Sequence, residues 1–281
     1  MASSFRYVVA DVFTDVALAG NQVAVFTDAR DLPDDVLQPL ARELNLSETV
    51  YVYPPAAGGT IRIRIFTPAN ELPFAGHPTL GTAFVIGQPL QLETIVIETG
   101  SGPVPVRLER EGPKIVFGRM EQPVPSIEPF DEAPLLAALG IERSELPIEL
   151  YDNGMRHVYV ALRSEDEVVA LEPDMNALAR LGSPLGVNCF AGSGAAWKNR
   201  MFAPSSGVPE DPATGSAAGP LALHLARHER IGWGDEISIS QGAEIKRPST
   251  LFARAVGSSD EVERIEVGGS AVVVARGEYR L

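Results

Sequence analysis

The chain has 281 residues, 45% of them apolar, and 23 lysines and arginines stand against 37 aspartates and glutamates for a formal net charge of −14. At about 100–200 residues per domain this length suggests two domains with sizeable cores, and the absence of any basic block argues against a nucleic-acid partner. The single cysteine, Cys189, excludes an intrachain disulfide and any mechanism that needs two thiols.

The N-terminal M-A-S-S-F-R-Y-V-V-A-D has too short an apolar stretch for a signal peptide. No run of about 18 or more apolar residues follows anywhere, so no membrane span is expected, and the expected compartment is the cytoplasm. R-Y-V-V-A-D-V-F and N-Q-V-A-V-F (21–26) read as strands. D-D-V-L-Q-P-L-A-R-E-L has helical spacing from Asp34, an acceptable N-cap. T-V-Y-V-Y-P is a strand ended by prolines, and T-I-R-I-R-I-F-T-P alternates strictly over Ile61, Ile63 and Ile65, the pattern of a half-buried strand. H-P-T-L-G-T-A-F-V-I, from His77, is a short apolar helix with Pro78 in its first turn, where proline is tolerated. T-I-V-I-E-T, V-P-V-R-L-E and K-I-V-F are strands.

Gln122 to Pro134 is proline-rich and acidic and reads as a linker. Beyond it lie the helix L-L-A-A-L-G, the strand H-V-Y-V-A-L, and a second stretch of the same texture as the first. The last strands are E-I-S-I-S-Q-G, S-T-L-F-A-R-A-V and S-A-V-V-V-A-R-G. Strands outnumber helices and many are sequence neighbours, which predicts an α+β fold with mostly antiparallel sheet rather than a doubly wound one. The expected division is an N-terminal domain over 1–121, a linker over 122–134 and a C-terminal domain over 135–270. The final strand near 271–281 is a candidate to return to the first domain.

Two segments match in one register. R-I-F-T-P-A-N-E-L-P (64–73) and R-M-F-A-P-S-S-G-V-P (200–209) both fit R-x-F-x-P-x-x-x-[LV]-P. A-G-H-P-T-L-G-T-A and T-G-S-A-A-G-P-L-A follow, the second copy having three extra residues before its glycine. The pattern predicts a pseudo-twofold pair of domains, each with a strand, a proline-bounded loop, a glycine, a small polar residue and an apolar helix. If the halves pack face to face, the two helix starts converge. Unpaired N–H groups and helix dipoles would then hold a carboxylate despite the acidic chain.

Several residues in these segments can do chemistry. Glu48, in N-L-S-E-T-V-Y-V, reads as a general acid/base at the mouth of a strand, or as a turn residue or capping partner of Asn45. His77 reads as a donor or proton shuttle, or as a capping and packing residue. Asp211 and Ser216, in E-D-P-A-T-G-S-A, read as site residues or as a helix cap. Glu210 gains no role. Other candidates carry less. His224 and His228, at i and i+4, lack the glutamate of H-E-x-x-H and a third ligand, and read as a helix-surface pair rather than a zinc site. G-S-G-A-A-W-K-N from Gly192 fits neither a dinucleotide fingerprint nor a P-loop. Lys114, Lys198 and Lys246 lie outside both helix starts, so a Schiff base has no support. Cys189 reads as a buried apolar residue. Neither a metal nor a cofactor is expected.

Together, D-V-F-T-D-V-A-L-A-G-N-Q-V-A-V-F, N-L-S-E-T-V-Y-V, R-I-F-T-P-A-N-E-L-P-F-A-G-H-P-T, F-A-P-S-S-G-V-P-E-D-P-A-T-G-S-A and I-S-Q-G resemble the phenazine-biosynthesis PhzF-like isomerase family over nearly the whole chain. The resemblance implies the diaminopimelate epimerase-like fold. In that fold two similar domains each wrap a curled, mostly antiparallel sheet around a central helix, with the site in the cleft between them. It implies cofactor-independent isomerisation, trans-2,3-dihydro-3-hydroxyanthranilate being the substrate of the best-understood member, and a homodimer. By motif position Glu48 matches the proton-shuttling glutamate, His77, Asp211 and Ser216 its site-lining partners, and Gly76, His77, Gly215 and Ser216 the backbone that holds the substrate carboxylate. Ala75 departs from a frequent cysteine, and Lys246, in Q-G-A-E-I-K-R-P-S, stands where glycine is usual.

Three functions follow as expectations. The first is an isomerase in which Glu48 moves a proton between carbons of a small carboxylate substrate. The second is an amino-acid racemase or epimerase with Glu48 opposed to Asp211 or His77. The third is a non-enzymatic ligand-binding protein.

Overall fold

The computed structural model of the chain describes residues 4–182 and 185–281, so the first three residues of the N-terminal segment read above lie outside it. The chain divides into two compact units, Met1–Glu121 with Gly268–Leu281, and Gln122–Val267. No helix among the described residues is long and apolar enough to cross a membrane.

In the first unit β1 (Ser4–Val12) and β2 (Asn21–Phe26) pair antiparallel. After α1 (Asp34–Leu44), β3 (Glu48–Tyr53) runs parallel to β2 and puts Glu48 at the strand mouth. Asp34 is the first helical residue rather than the cap, because Pro33 takes the cap position, and Asp34 and Asp35 face the positive end of the helix dipole. β4 (Ile61–Phe66) folds back on β3 with Ile61, Ile63 and Ile65 buried, and β5 (Glu71–Leu72) pairs with its end. Next comes α2 (Gly76–Leu90). β6 (Thr94–Thr99) lies parallel to β4, and β7 (Gly102–Glu111) and β8 (Lys114–Gln122) complete a meander.

Every residue of α2 from Gly76 to Val85 is buried. A helix apolar on all faces must be enclosed on all faces, and α2 packs on β1, β2, β3, β6 and β7. Gly81 permits the closest approach, since a Cβ there would come within 2.8 Å of Val12 and 2.7 Å of Val23.

The second unit does not open on a bare linker. Within 122–134, β9 (Ser126–Pro129) is a short strand and α3 (Glu132–Leu139) begins on the Asp131 cap. The prolines that suggested a linker are compatible with a short, mostly exposed strand. β9 pairs with β10 (Glu149–Asp152), which pairs with β11 (Arg156–Ala161). Short helices α4 (Glu165–Val169) and α5 (Met175–Ala179) lead to β12 (Gly186–Ser193), parallel to β11. β13 (Ala196–Ala203) returns antiparallel and β14 (Val208–Asp211) pairs with it. α6 (Gly215–Arg227) follows. β15 (Ile237–Gln241) lies parallel to β13, and β16 (Ser249–Gly257) is antiparallel to β15. After β17 (Val262–Gly269), β18 (Ala271–Arg280) pairs antiparallel with β1, from Ala271 beside Val12 to Arg280 beside Ser4.

The succession of parallel and antiparallel pairings from β11 to β16 repeats that from β2 to β7. The architecture is α+β, each unit holding one enclosed helix, and α6 is buried from Gly215 to Ala226. Pro220 in its interior has no N–H for the carbonyl of Ser216. The Asn153 side chain donates to that carbonyl instead, at 2.9 Å. Gln122 donates to the carbonyl of Gly215 at 2.8 Å and the Tyr159 hydroxyl to that of Ala217 at 2.7 Å. The start of α6 is thereby fixed from three strands or loops of its own unit.

Candidate functional site

In the first unit β3 and the start of α2 bring two of the sequence-selected residues into contact. Glu48 Oε2 lies 3.1 Å from His77 Nε2, and both side chains are largely buried. The same nitrogen faces the carbonyl oxygen of Gln22 at 3.2 Å. A carboxylate and a carbonyl can only accept, so Nε2 carries the ring proton. Burial pushes the imidazole down to about 3 against a smaller opposing effect of the Gln22 carbonyl, so the ring is neutral and its Nδ1 accepts. Asn21 Nδ2 donates to it at 3.1 Å, and Asn21 Oδ1 in turn accepts from Ser47 Oγ at 3.1 Å. The Nε2–H is donated to the Gln22 carbonyl, and Glu48 Oε2 stands 3.1 Å from a neutral ring, a close polar contact rather than an ion pair. Gly76, itself buried, opens the helix, and Ala75 at the cap position supplies no side-chain bond to its first N–H groups.

In the second unit Asp211 closes β14 and Gly215 and Ser216 open α6. Asp211 is not the cap. Thr214 holds that position, its side chain making no capping bond, and its hydroxyl donates to Asp211 Oδ2 at 2.7 Å. Ser216 Oγ accepts from a residue that its sequence context does not reveal, His157 on β11, with Nε2 at 3.0 Å. Behind these lie Asn188, Asn199 and Gln241, all buried. Gln241 belongs to the I-S-Q-G motif. Its Nε2 donates to the Asp211 carbonyl at 2.8 Å and to Thr214 Oγ1 at 3.0 Å.

The matched R-x-F motifs align the two units residue by residue. Phe66 faces Thr49, and Phe202 faces Val187. The counterpart of Glu48 is therefore Gly186. In sequence Leu72 matches Val208, but the residues added after Pro209 and the bulge in β13 shift the pairing, so that Met201 faces Asp211 where Ile65 faces Leu72, and the first unit has no carboxylate in that place. Each unit thus supplies one carboxylate, from non-equivalent positions.

Glu210 carries a structural role that its sequence context hides. Its two oxygens bind Arg200 Nε and Nη2, each at 2.9 Å, with both side chains buried. His224 and His228 are not a surface pair either. His224 is fully enclosed because α6 is, stacking on Tyr159 and edge-on to Phe190. With Glu149 the two imidazoles form a cluster whose ligand-type atoms lie within 4.8 Å of one another. Arg227 Nη1 at 2.7 Å and the Tyr151 hydroxyl at 2.9 Å point at the same Glu149 oxygen as His228 Nε2 at 3.0 Å. A guanidinium already stands where a cation would bind. Burial would raise the Glu149 carboxyl, but these donors outweigh it and hold it well below the usual range. Cys189 sits in the apolar cluster of the second unit, where burial pushes its thiol up.

Lys246 has a backbone φ of +62°, in the left-handed region that favours glycine. Lys246→Gly is expected to raise stability by roughly 1 kcal/mol and to leave turnover unchanged, as a shift of the denaturant midpoint would show.

The phenazine biosynthesis-like protein family, PhzC-PhzF, matches residues 10–277. A curated relative from Pseudomonas aeruginosa, named trans-2,3-dihydro-3-hydroxyanthranilate isomerase, is 52% identical over 277 residues, 98% of this chain and 99% of its own length. A solved phenazine biosynthesis protein of the PhzF family from Bacillus anthracis superposes with a TM-score of 0.84 at 24% identity, covering 99% of both chains. A hydroxyproline epimerase from Agrobacterium vitis, at 11% identity, superposes with a TM-score of 0.70 over 99% of this chain and 93% of its own, a likeness of fold alone. With its diaminopimelate epimerase-like α+β fold, the chain belongs to the phenazine biosynthesis-like protein family.

Proposed function

We propose that the protein is an isomerase that moves a proton between two carbons of a small carboxylate substrate, and that this substrate is trans-2,3-dihydro-3-hydroxyanthranilate, as the name of the Pseudomonas aeruginosa relative states for that protein. The observation that carries the chemistry is the single Glu48 carboxylate, largely buried with Oε2 3.1 Å from the neutral His77 ring. A neutral neighbour spares the carboxylate the large loss of basicity that a lysine or arginine partner would cause.

Glu48 takes the proton as a C–H bond of the substrate breaks. The electron pair shifts within the substrate, and the Glu48 carboxylic acid then delivers the proton to another carbon, ending as carboxylate. Atoms and charge balance without a second reactant. Each unit offers a helix start suited to a substrate carboxylate, Gly76 of α2 in the first and Gly215 of α6 in the second, the latter with the Ser216 hydroxyl beside it. Asp211, oriented by Thr214, accepts from the substrate's polar groups.

Two features favour this reading over racemisation, which needs an acid/base on each face of one carbon. The counterpart of Glu48 in the second unit is Gly186, and Cys189 is buried in an apolar cluster with its thiol pushed up. The test is conversion of trans-2,3-dihydro-3-hydroxyanthranilate by the purified protein in metal-free buffer. Conversion supports the assignment, and an unchanged substrate at high enzyme concentration overturns it.

A further inference from the structure

The second unit holds a directed chain of side-chain hydrogen bonds that ends on two of the proposed substrate-facing groups. Its middle is Asn199, whose Nδ2 donates to Gln241 Oε1 at 3.1 Å and to Asn188 Oδ1 at 3.3 Å. One arm continues from Gln241 Nε2 to Thr214 Oγ1 and from that hydroxyl to the Asp211 carboxylate. The other continues from Asn188 Nδ2, which faces the backbone carbonyls of Val158 at 3.4 Å and Gly186 at 3.5 Å and His157 Nδ1 at 3.5 Å. Carbonyls only accept, so the Asn188 atom facing them is the amide nitrogen, and the His157 Nδ1 beside it is an acceptor. The ring proton then lies on Nε2 and is donated to Ser216 Oγ at 3.0 Å.

Space for the ring is created by Gly186. A Cβ there would stand 2.6 Å from His157 Nδ1. In the parallel registers His157 faces Gly186 where Val23 faces Glu48. The bulk that Glu48 places on one strand of the first unit is thus placed by His157 on the neighbouring strand of the second. The tautomer is the same one that Asn21 and the facing acceptors impose on His77.

We infer that His157 is a positioning residue that fixes Ser216 as a hydrogen-bond donor. Its Nε2–H occupies a lone pair of Ser216 Oγ, so the hydroxyl hydrogen points away from the His157 ring and is free for an anionic acceptor. The carboxylate class of ligand follows from that polarity, because a ligand donor would meet the hydroxyl's hydrogen. This inference rests on the proposed role of Ser216 in holding the substrate carboxylate.

The test separates the two. Long-range ¹H–¹⁵N spectra of the histidine rings read the His157 tautomer in the wild-type protein without any substrate. The expected result is a proton on Nε2 alone at neutral pH, and a proton on Nδ1 overturns the inference whatever the substrate is. In turnover, His157→Leu is expected to raise KM about tenfold with kcat within about threefold, the signature of lost uniform binding. His157→Gln, whose amide N–H reaches the Nε2 position, is expected to restore KM to within about threefold. In a Ser216→Ala background the effect of His157→Leu on KM is expected to vanish, because the two act as one unit. A folded His157→Leu variant with unchanged KM, or an effect that persists without the Ser216 hydroxyl, sinks the inference. Should His157→Leu fail to fold, the wild-type tautomer decides alone. Failure of the wild-type protein to turn over trans-2,3-dihydro-3-hydroxyanthranilate counts against the proposed substrate and leaves the tautomer result standing.

Discussion

Replacing Glu48 by glutamine lowers kcat by about 10²–10⁴-fold, the range expected when one general acid/base is removed, while KM stays within about threefold. Glutamine keeps the size and polarity of the side chain whose Oε2 now lies 3.1 Å from His77 Nε2, so the start of β3 and α2 hold their places. What it loses is only the capacity to take and return a proton. Glu48→Asp keeps that capacity but withdraws the carboxylate by one methylene from both His77 and the substrate, and an intermediate kcat is expected. The measurement is steady-state turnover of each variant, with near-ultraviolet circular dichroism to verify the fold. Turnover of Glu48→Gln within about tenfold of wild type would remove Glu48 from the mechanism. The contrast with His157→Leu matters, since one substitution is expected in kcat and the other in KM.

The largest effect on stability is expected at Glu210→Ala, a loss of about 3–5 kcal/mol, because an uncompensated charge is left buried. Arg200 has three further commitments through Nη1, to the carbonyls of Val168 at 3.2 Å, Val169 at 3.1 Å and Leu171 at 2.8 Å. The guanidinium therefore cannot swing out to water without leaving those carbonyls unpaired. The paired change Arg200→Met with Glu210→Leu removes both charges and is expected to recover part of the loss, the remainder being the orphaned carbonyls. Denaturant unfolding reads both numbers. A loss under about 1 kcal/mol for Glu210→Ala would mean that the ion pair contributes no more than an exposed one. Glu210 adjoins Asp211, so this pair also fixes the end of β14 that presents the proposed site carboxylate.

The sequence makes some of this legible and conceals the rest for identifiable reasons. Alternation over Ile61, Ile63 and Ile65 specifies β4 because one face of that strand is buried and the other is not. The apolar runs after Gly76 and Gly215 specify enclosed helices, and the matched R-x-F-x-P segments specify a repeated set of strand pairings. Glu48 and His77 meet because a strand mouth and a helix start are both fixed by local signals. His157 and Asn188 escape, since H-V-Y-V-A-L reads as a plain strand and the neighbourhood of Asn188 offers only a buried Cys189. Only the register of β11 on β12, with Gly186 opening the space, shows that the histidine reaches Ser216. Asn21 and Gln241 lie in motifs that stand out in the sequence, but their partners are distant, His77 and Thr214 being 56 and 27 positions away. His224 and His228 mislead because i, i+4 spacing places two rings on one helical face without saying whether that face is covered. Lys246 is informative in the reverse sense. A residue other than glycine there is a sequence-level oddity, and the backbone φ of +62° gives it a physical meaning.

The most direct measurement is turnover of trans-2,3-dihydro-3-hydroxyanthranilate in deuterium oxide, with the position of the label read by NMR. The account predicts that the double bonds move with turnover, that deuterium, which enters as the Glu48 acid exchanges with solvent before it delivers, sits at a carbon other than the one that lost its proton, and that Glu48→Gln suppresses both about as strongly as it suppresses kcat. Label confined to the carbon that was deprotonated, with the double bonds of the substrate unmoved, would contradict proton relocation and indicate epimerisation in its place.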